Sequence, residues 1–153
     1  DPEYIAPHCK KYEDYDRVMD AGASSKNIYF IRYADLILLY AECLLAENDL
    51  AGAKQQVIRV RNRAKVSTPI TASNNTEMLD FIYEERMREL GMEGWRRMDL
   101  IRRGADYFAA QVDKYNPFAK GNVQPYHAFY PIPTNEINMN DGIGAEDQNE
   151  GYK

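Results

Sequence analysis

The longest apolar stretch of the chain runs from Ile28 to Glu47, where nearly every position is hydrophobic. Its only charges before Glu47 are Arg32, Asp35 and Glu42, which share one narrow stripe of a helix and leave the rest of its circumference apolar. The pattern predicts a helix from about Ile28 that needs cover on most of its sides. These charges interrupt the stretch before about 18 apolar residues accumulate, which argues against a membrane span.

A second helix is predicted after a short turn at Asn48 and Asp49, and it extends to about Ala64. Its apolar positions recur at steps of three and four residues: Leu50, Ala53, Val57, Val60 and Ala64. Because the turn is so short, the two helices must pack antiparallel. The small residues Ala41 and Ala53 fit a single tetratricopeptide-type helix pair and a generic helical hairpin equally well, so both interpretations stay open.

A third helix should follow the loop at Pro69, capped by Asn75 or Thr76. Its apolar stripe keeps the same phase across Gly91 and Gly94. The helix therefore either continues through these glycines or breaks there and restarts. A glycine in a helix interior costs about 1 kcal/mol.

Regular periodicity is lost beyond Gly104, where proline, asparagine and glycine predict loops and one short helical turn after Thr134. The predicted fold class is all-α: an antiparallel helical hairpin of tetratricopeptide-like type, a further long helix and an extended loop-rich carboxy-terminal region. We assign residues 1–27 to an irregular lead-in, 28–104 to a helical core and 105–153 to the loop-rich part of the same domain.

The charge composition of the chain argues against one class of partner. The 153 residues carry 24 acidic and 19 basic side chains, a net charge of −5, so no bulk positive field favours a nucleic-acid partner. The two cysteines have no zinc or redox spacing, and Cys43 is expected to lie in the core. His8 and His127 have no metal-ligand spacing, so we expect neither metal nor cofactor. No apolar signal-peptide core precedes Lys11.

The densest charged segment, residues 84–103, admits two interpretations. Glu89 and Glu93 lie four residues apart on one helix face and could act as an acid and base pair. The same segment places arginines at helical contact spacing from each carboxylate, which would lower the pKa values and form a lattice of ion pairs. We favour the lattice and predict no catalytic residue. Trp95 at the apolar stripe is expected to pack in the core.

Several motifs, taken in order, resemble one family, and a fainter match precedes them at Lys10-Lys11-Tyr12. They are Ile31–Glu42 (R-Y-A-D followed by Y-A-E), Val60–Ala64 (V-R-x-R-A), the segment from Glu85 (E-R-x-x-E-L, E-G-x-R, D-L-x-R), Tyr130–Ile137 (P-I-P-x-x-E) and Gln148–Tyr152 (Q-N-E-G-Y). The chain resembles the SusD/RagB family of surface nutrient-binding lipoproteins of Bacteroidetes outer membranes, from about Ile28 to Tyr152. Glu150 stands where the family motif has proline.

The resemblance implies a non-catalytic protein that binds glycans or other nutrients outside the cell. Family members pass their ligand to a TonB-dependent transporter of the SusC-like class. The resemblance also implies an outer-membrane, cell-surface location through a lipid anchor that is absent from this chain, which looks like a carboxy-terminal portion.

The family motifs look like scaffold residues, so ligand-binding candidates must come from the aromatic side chains of the predicted loops. Tyr115, Tyr126 and His127 are the most loop-like of these. The alternative is that such rings only seal the loops onto the helices. A second function also stays open: a helical-repeat interaction module that binds another protein and no small ligand.

Overall fold

The structure is a computed structural model that describes residues 10–14, 24 and 26–153. The chain forms two compact units, residues 1–94 and 95–153. The described residues contain six α-helices and no β-strand, which confirms the all-α prediction. None of the helices in the described ranges has the length and apolar character needed to cross a bilayer.

The first unit is built on α1 (Tyr33–Ala46), α2 (Leu50–Arg63) and α3 (Asn75–Glu89). The Asp49 side chain caps α2 by accepting from the backbone N–H of Gly52 at 2.8 Å. Asn74 caps α3 in the same way, one residue before the predicted position. Only three residues join α1 to α2, so the predicted antiparallel hairpin of tetratricopeptide-like type is confirmed.

The core of the first unit lies between these three helices. Each helix contributes apolar side chains at steps of three and four, as the sequence pattern predicts. The buried members are Ile37, Leu38, Ala41 and Leu45 of α1, Ala53, Val57 and Val60 of α2, Met78 and Ile82 of α3, and Ala72 of the preceding loop.

One face of α1 stays uncovered. The helix begins at Tyr33 and not at Ile28, so its start was predicted five residues too early. Leu36 and Tyr40 are 52% and 53% exposed, and Cys43 on the same stripe is exposed too. The prediction that Cys43 lies in the core is therefore wrong, because the buried face of α1 is the opposite one. The uncovered stripe agrees with the expectation that this helix needs cover on most of its sides.

The second unit contains α4 (Arg96–Arg102), α5 (Ala105–Tyr115) and α6 (Thr134–Met139). The helical stripe that crosses the glycines is thus interrupted, with Gly94 at a φ of 84°. The segment that forms α5 was predicted as loop and is a helix of 11 residues. The short helical turn expected after Thr134 is present as α6.

The core of the second unit is small. It centres on Leu100, Phe108 and Ala128, which come from α4, α5 and the 3₁₀ turn Pro125–Ala128. The residues after α5 otherwise form turns and extended segments, so the region after residue 115 is loop-rich as predicted.

Candidate functional site

Two glutamates of the densest charged segment lie at the centre of an ion-pair network in the first unit. The Arg32 guanidinium donates to both carboxylate oxygens of Glu93, at 2.7 to 3.0 Å, and to a carboxylate oxygen of Glu89 at 2.8 Å. Arg63 of α2 donates to both oxygens of Glu89, at 2.6 and 2.7 Å. Within the segment, Glu85 pairs with Arg88 at the predicted helical spacing. The partners of Glu89 and Glu93 described above were not predicted, because they come from segments distant in sequence.

Lys11 adds a third cation to this network. Its ammonium lies 2.6 Å from the Glu93 carboxylate and donates to the backbone carbonyls of Glu89 at 3.0 Å and Gly91 at 2.9 Å. Carbonyls at the end of a helix carry partial negative charge, which a cation stabilises. The 3₁₀ turn that contains Lys11 is therefore fixed to the carboxy-terminal end of α3.

Two further ion pairs are buried between the helices of the first unit. Arg86 of α3 lies 2.7 Å from Asp35 Oδ1 of α1, an ion pair by distance although that oxygen accepts no well-aligned hydrogen bond. Arg61 of α2 lies 2.9 Å from Glu85 of α3. All four side chains are at most 7% exposed, so the loss of one partner would remove the nearest opposite charge of a buried ion. Arg86 would keep one further carboxylate, that of Glu42, at 3.9 Å.

The network makes general acid chemistry unfavourable at its centre. Burial acts to raise the pKa of Glu93, but hydrogen bonds from Arg32 and Lys11 outweigh it and hold this pKa below its ordinary value. The hydrogen bond to Glu93 in turn raises the pKa of Arg32, against the effect of burial. Glu93 is therefore ionised at neutral pH and carries no proton to donate. The charged residues of the ordered motifs bind one another and hold the three helices together.

In the second unit, hydrogen bonds join the two carboxy-terminal motifs. The backbone N–H of Ile132 donates to Gln148 Oε1 at 2.7 Å, and Gln148 Nε2 donates back to the Ile132 carbonyl at 2.9 Å. Asn149 Nδ2 donates to the Tyr130 carbonyl at 2.7 Å. We call this set of contacts the tail clasp.

Three rings pack beside the tail clasp. The centroid of the Tyr126 ring lies 4.2 Å from that of His127 and 5.1 Å from that of Tyr152, the latter edge to face. The Tyr152 hydroxyl donates to the Phe129 carbonyl at 3.0 Å. Gly151 has a φ of 86°, and a Cβ there would lie 2.3 Å from Tyr126 Cγ, so the position requires glycine. The Tyr126 ring therefore packs directly against the backbone of Gly151 and the ring of Tyr152.

An open depression of about 370 Å³ lies against these rings, which we call the Tyr126 depression. It presents aromatic faces together with one amide and one carboxylate, a combination typical of small-molecule sites. Its lining residues are Ala105, Pro125, Tyr126, Phe129, Asn149 and Glu150.

The structure distributes the predicted site residues unevenly. Tyr126 lines the depression, and His127 packs on Tyr126 while its Nδ1 accepts from the Gln124 backbone N–H at 2.9 Å. Tyr115 is the last residue of α5 and not a loop residue, and the Lys114 ammonium lies 4.7 Å from its ring centroid. The three packed rings include Tyr126 and His127 but not Tyr115. A ligand-binding role for the three residues stays a prediction.

Of the six lining residues of the depression, only Tyr126 was singled out from the sequence as a ligand-binding candidate. Phe129 follows the 3₁₀ turn and is 59% exposed. Asn149 and Glu150 belong to the terminal motif, and Glu150 is the residue at which that motif departs from the family pattern. That departure was the available signal.

A larger depression, of about 550 Å³, lies in the first unit, but its charged side chains and its serine hydroxyl already have partners in the protein. Glu93 belongs to the ion-pair network, the Lys26 ammonium donates to the Glu13 carbonyl, and the Ser24 hydroxyl donates to the Asp14 carboxylate. Its lining residues are Tyr12, Ser24, Lys26, Ile28, Tyr29, Met92 and Glu93. Across the part of the chain that the structure describes, no three His, Cys, Asp or Glu side chains converge as a metal site would require.

Comparison with known proteins gives a consistent result. The family model of the SusD family matches residues 2–152. A SusD-like protein of Formosa agariphila is 34% identical over 84% of this chain and 25% of its own length. The starch-binding protein SusD of Bacteroides thetaiotaomicron is 32% identical over 89% of this chain and 23% of its own length. The chain spans about a quarter of the length of these curated relatives, and no solved structure matches it significantly.

The family match covers nearly the whole sequence and includes the motifs that form the ion-pair network and the tail clasp. The chain belongs to the SusD family.

Proposed function

We propose that the protein containing this chain captures glycans or related nutrients at the cell surface and delivers them to a TonB-dependent transporter of the SusC-like class. It catalyses no reaction, and a lipid anchor holds it to the outer membrane. The observation that carries the proposal is family membership over residues 2–152, together with 32% identity to a protein named for starch binding.

The geometry supports a binding role in two ways. Glu89 and Glu93, the carboxylates with catalytic spacing, are occupied by ion pairs, so they are unsuited to proton transfer. The second unit instead exposes aromatic side chains on loops, where binding residues concentrate. Rings on a fixed scaffold bind with little loss of conformational entropy.

Isothermal titration of the full-length protein with purified polysaccharides tests the binding function, and chromatography of the incubated glycan tests for turnover. We expect saturable binding and an unchanged glycan. Release of shorter sugars would contradict the non-catalytic part of the proposal. Co-purification with a TonB-dependent transporter of the SusC-like class tests whether the two proteins associate, and the absence of association would contradict the delivery part of the proposal.

A second candidate function is a protein-interaction module without small-ligand binding. The uncovered apolar stripe of α1, with Leu36 and Tyr40 about half exposed, favours it, because such stripes mark interaction surfaces. Replacement of Tyr115 and Tyr126 by alanine separates the two functions. Lost glycan binding with retained transporter association supports capture. No glycan binding by the wild type, with transporter association lost in Leu36→Ser, supports the module.

A further inference from the structure

We propose that the Tyr126 depression is a subsite for one neutral pyranose unit of a glycan, with Phe129 and Tyr126 as its apolar faces and Glu150 as its hydroxyl acceptor. This inference rests on the proposed function and deepens it, because it assigns a place and a ligand class to the capture of glycans.

The depression has a volume and an apolar surface that suit a sugar ring. Its volume of about 370 Å³ is within the range of roughly 300 to 1,000 Å³ found for small-molecule sites. A pyranose ring has an apolar face of C–H groups and a rim of hydroxyls. The exposed ring of Phe129 and the ring of Tyr126 supply flat apolar surface for that face.

The rim of the depression also has polar groups that suit the hydroxyls of a sugar. Glu150 is exposed and makes no ion pair with any described residue, so its oxygens are open to a ligand. An ionised carboxylate only accepts hydrogen bonds, which suits the donor hydroxyls of a sugar. The hydrogen bond from Asn149 to the Tyr130 carbonyl fixes a second polar group at the same rim.

The sign of the local charge favours neutral over acidic sugars. Glu150 is the one charged side chain among the residues that line the depression. The guanidinium of Arg97 lies nearby, where it donates to the carbonyls of His127 and Ala128. A uronate would bring a second carboxylate to the rim, and like charges repel.

The Tyr126 ring is packed against other residues of the second unit. The Tyr126 ring is fixed by Gly151 and Tyr152, so the apolar face is formed before a ligand arrives. Preorganisation lowers the entropic cost of binding. The larger depression of the first unit lacks an available carboxylate, because Glu93 is engaged in the ion-pair network.

The test uses the full-length protein and four probes in isothermal titrations: maltoheptaose, cellohexaose and xylohexaose as neutral glycans, and hexagalacturonate as the acidic one. Phe129→Ala and Glu150→Ala remove exposed side chains, so both variants should keep the wild-type circular dichroism spectrum. Phe129→Tyr keeps the flat ring and Phe129→Leu does not. Met139→Ala removes another side chain of the second unit, 85% exposed, and is the matched control.

We expect the wild type to bind at least one neutral probe and to bind hexagalacturonate less tightly. For the bound neutral probe we expect affinity to fall about tenfold in Phe129→Ala and about threefold or more in Glu150→Ala, as for truncated contact residues. Phe129→Tyr and Met139→Ala should stay within about twofold of the wild type, and Phe129→Leu should resemble the alanine variant.

The outcomes separate this inference from the proposed function. Neutral glycan binding that is unchanged in Phe129→Ala and Glu150→Ala overturns the subsite and leaves glycan capture standing. Tighter binding of hexagalacturonate than of every neutral probe overturns the ligand class. The absence of binding to all four probes overturns the subsite together with the glycan form of the proposed function.

Discussion

The two units of the chain use polar side chains differently. In the first unit, charged side chains of α1, α2 and α3 pair with one another, and the pairs Asp35–Arg86 and Arg61–Glu85 are buried. In the second unit, Gln148 and Asn149 hydrogen-bond to backbone atoms, and the carboxylate of Glu150 is left exposed.

This difference distinguishes the side chains that stabilise the fold from those that a ligand can contact. A charge whose partners are all in the protein stabilises one arrangement of helices and offers little to a ligand. A tail that is fixed by its Gln148 and Asn149 side chains leaves its other side chains available. The motifs of the first unit therefore identify the family through its framework, and we propose that ligand preference is set in the loops.

The largest expected effect is the loss of a buried charge partner. Asp35→Ala removes the nearer carboxylate partner of the buried Arg86 guanidinium and leaves Glu42 at 3.9 Å, and we expect it to lower the free energy of unfolding by about 3 kcal/mol. Urea denaturation followed by circular dichroism measures the change. Arg59→Ala removes an arginine of α2 whose contacts are exposed, and it should cost less than about 0.5 kcal/mol. Equal effects in the two variants would contradict the scaffold role.

A smaller effect is expected at the tail clasp. Gly151→Ala places a Cβ at a positive φ and against the Tyr126 ring, at a cost of about 2 kcal/mol. The Ile132 amide donates to Gln148, so its hydrogen exchange should become at least about tenfold faster. Gly142→Ala is the control, because that glycine has no positive φ and its nearest contact is a side-chain oxygen at 3.3 Å. Unchanged exchange at Ile132 in Gly151→Ala would show that the clasp does not depend on glycine.

The acid sensitivity of the first unit should depend on Glu93. Its pKa in the folded protein is below the ordinary value of 4.5, so its contribution to stability is complete above about pH 4.5 and is lost as the pH falls through the lower folded value. Glu93→Gln should lower stability at neutral pH and weaken the further loss on acidification. Urea midpoints between pH 7 and pH 3 measure this, with Glu84→Gln as a partly exposed control. An identical pH dependence in wild type and Glu93→Gln would be inconsistent with the network.

The smallest effect is expected on the outer face of α3. Arg88 is 50% exposed and pairs with Glu84 one helical turn earlier. We expect Arg88→Ala to change the free energy of unfolding by at most about 0.5 kcal/mol, because solvent screens such pairs. A loss of several kcal/mol in the same urea experiment would mean that its second contact, with Glu85, is the important one.

Hydrophobic spacing was enough to predict most of the first unit. The apolar positions of α2 predicted a helix to about Ala64, and the structure ends it at Arg63. The start of α1 was misplaced because Ile28 to Ile31 continue the apolar run without helical geometry; three of these four side chains are more than half exposed. Apolar character alone does not report where a helix begins.

The missed helix α5 did have a signal in the sequence. Apolar residues recur at helical spacing in this segment: Ala105, Phe108, Ala109 and Val112. A loop was predicted instead, because proline and glycine are abundant further along the chain. The partners of Glu89 and Glu93 had no local signal, because Arg32 and Lys11 approach from segments more than 50 residues away. Spacing rules describe neighbours on one helix and not contacts made by folding. The Tyr126 depression depends on such contacts too.

The most direct test of the division between scaffold and surface compares Arg32→Lys with Phe129→Ala in the full-length protein, by glycan titration and urea unfolding. Lysine cannot reproduce the forked contact of Arg32 with Glu93. We predict that Arg32→Lys lowers the free energy of unfolding by about 1 to 2 kcal/mol and leaves glycan affinity unchanged. Phe129→Ala should lower glycan affinity about tenfold and leave the free energy of unfolding unchanged. Weakened glycan binding in Arg32→Lys at unchanged stability would contradict the account.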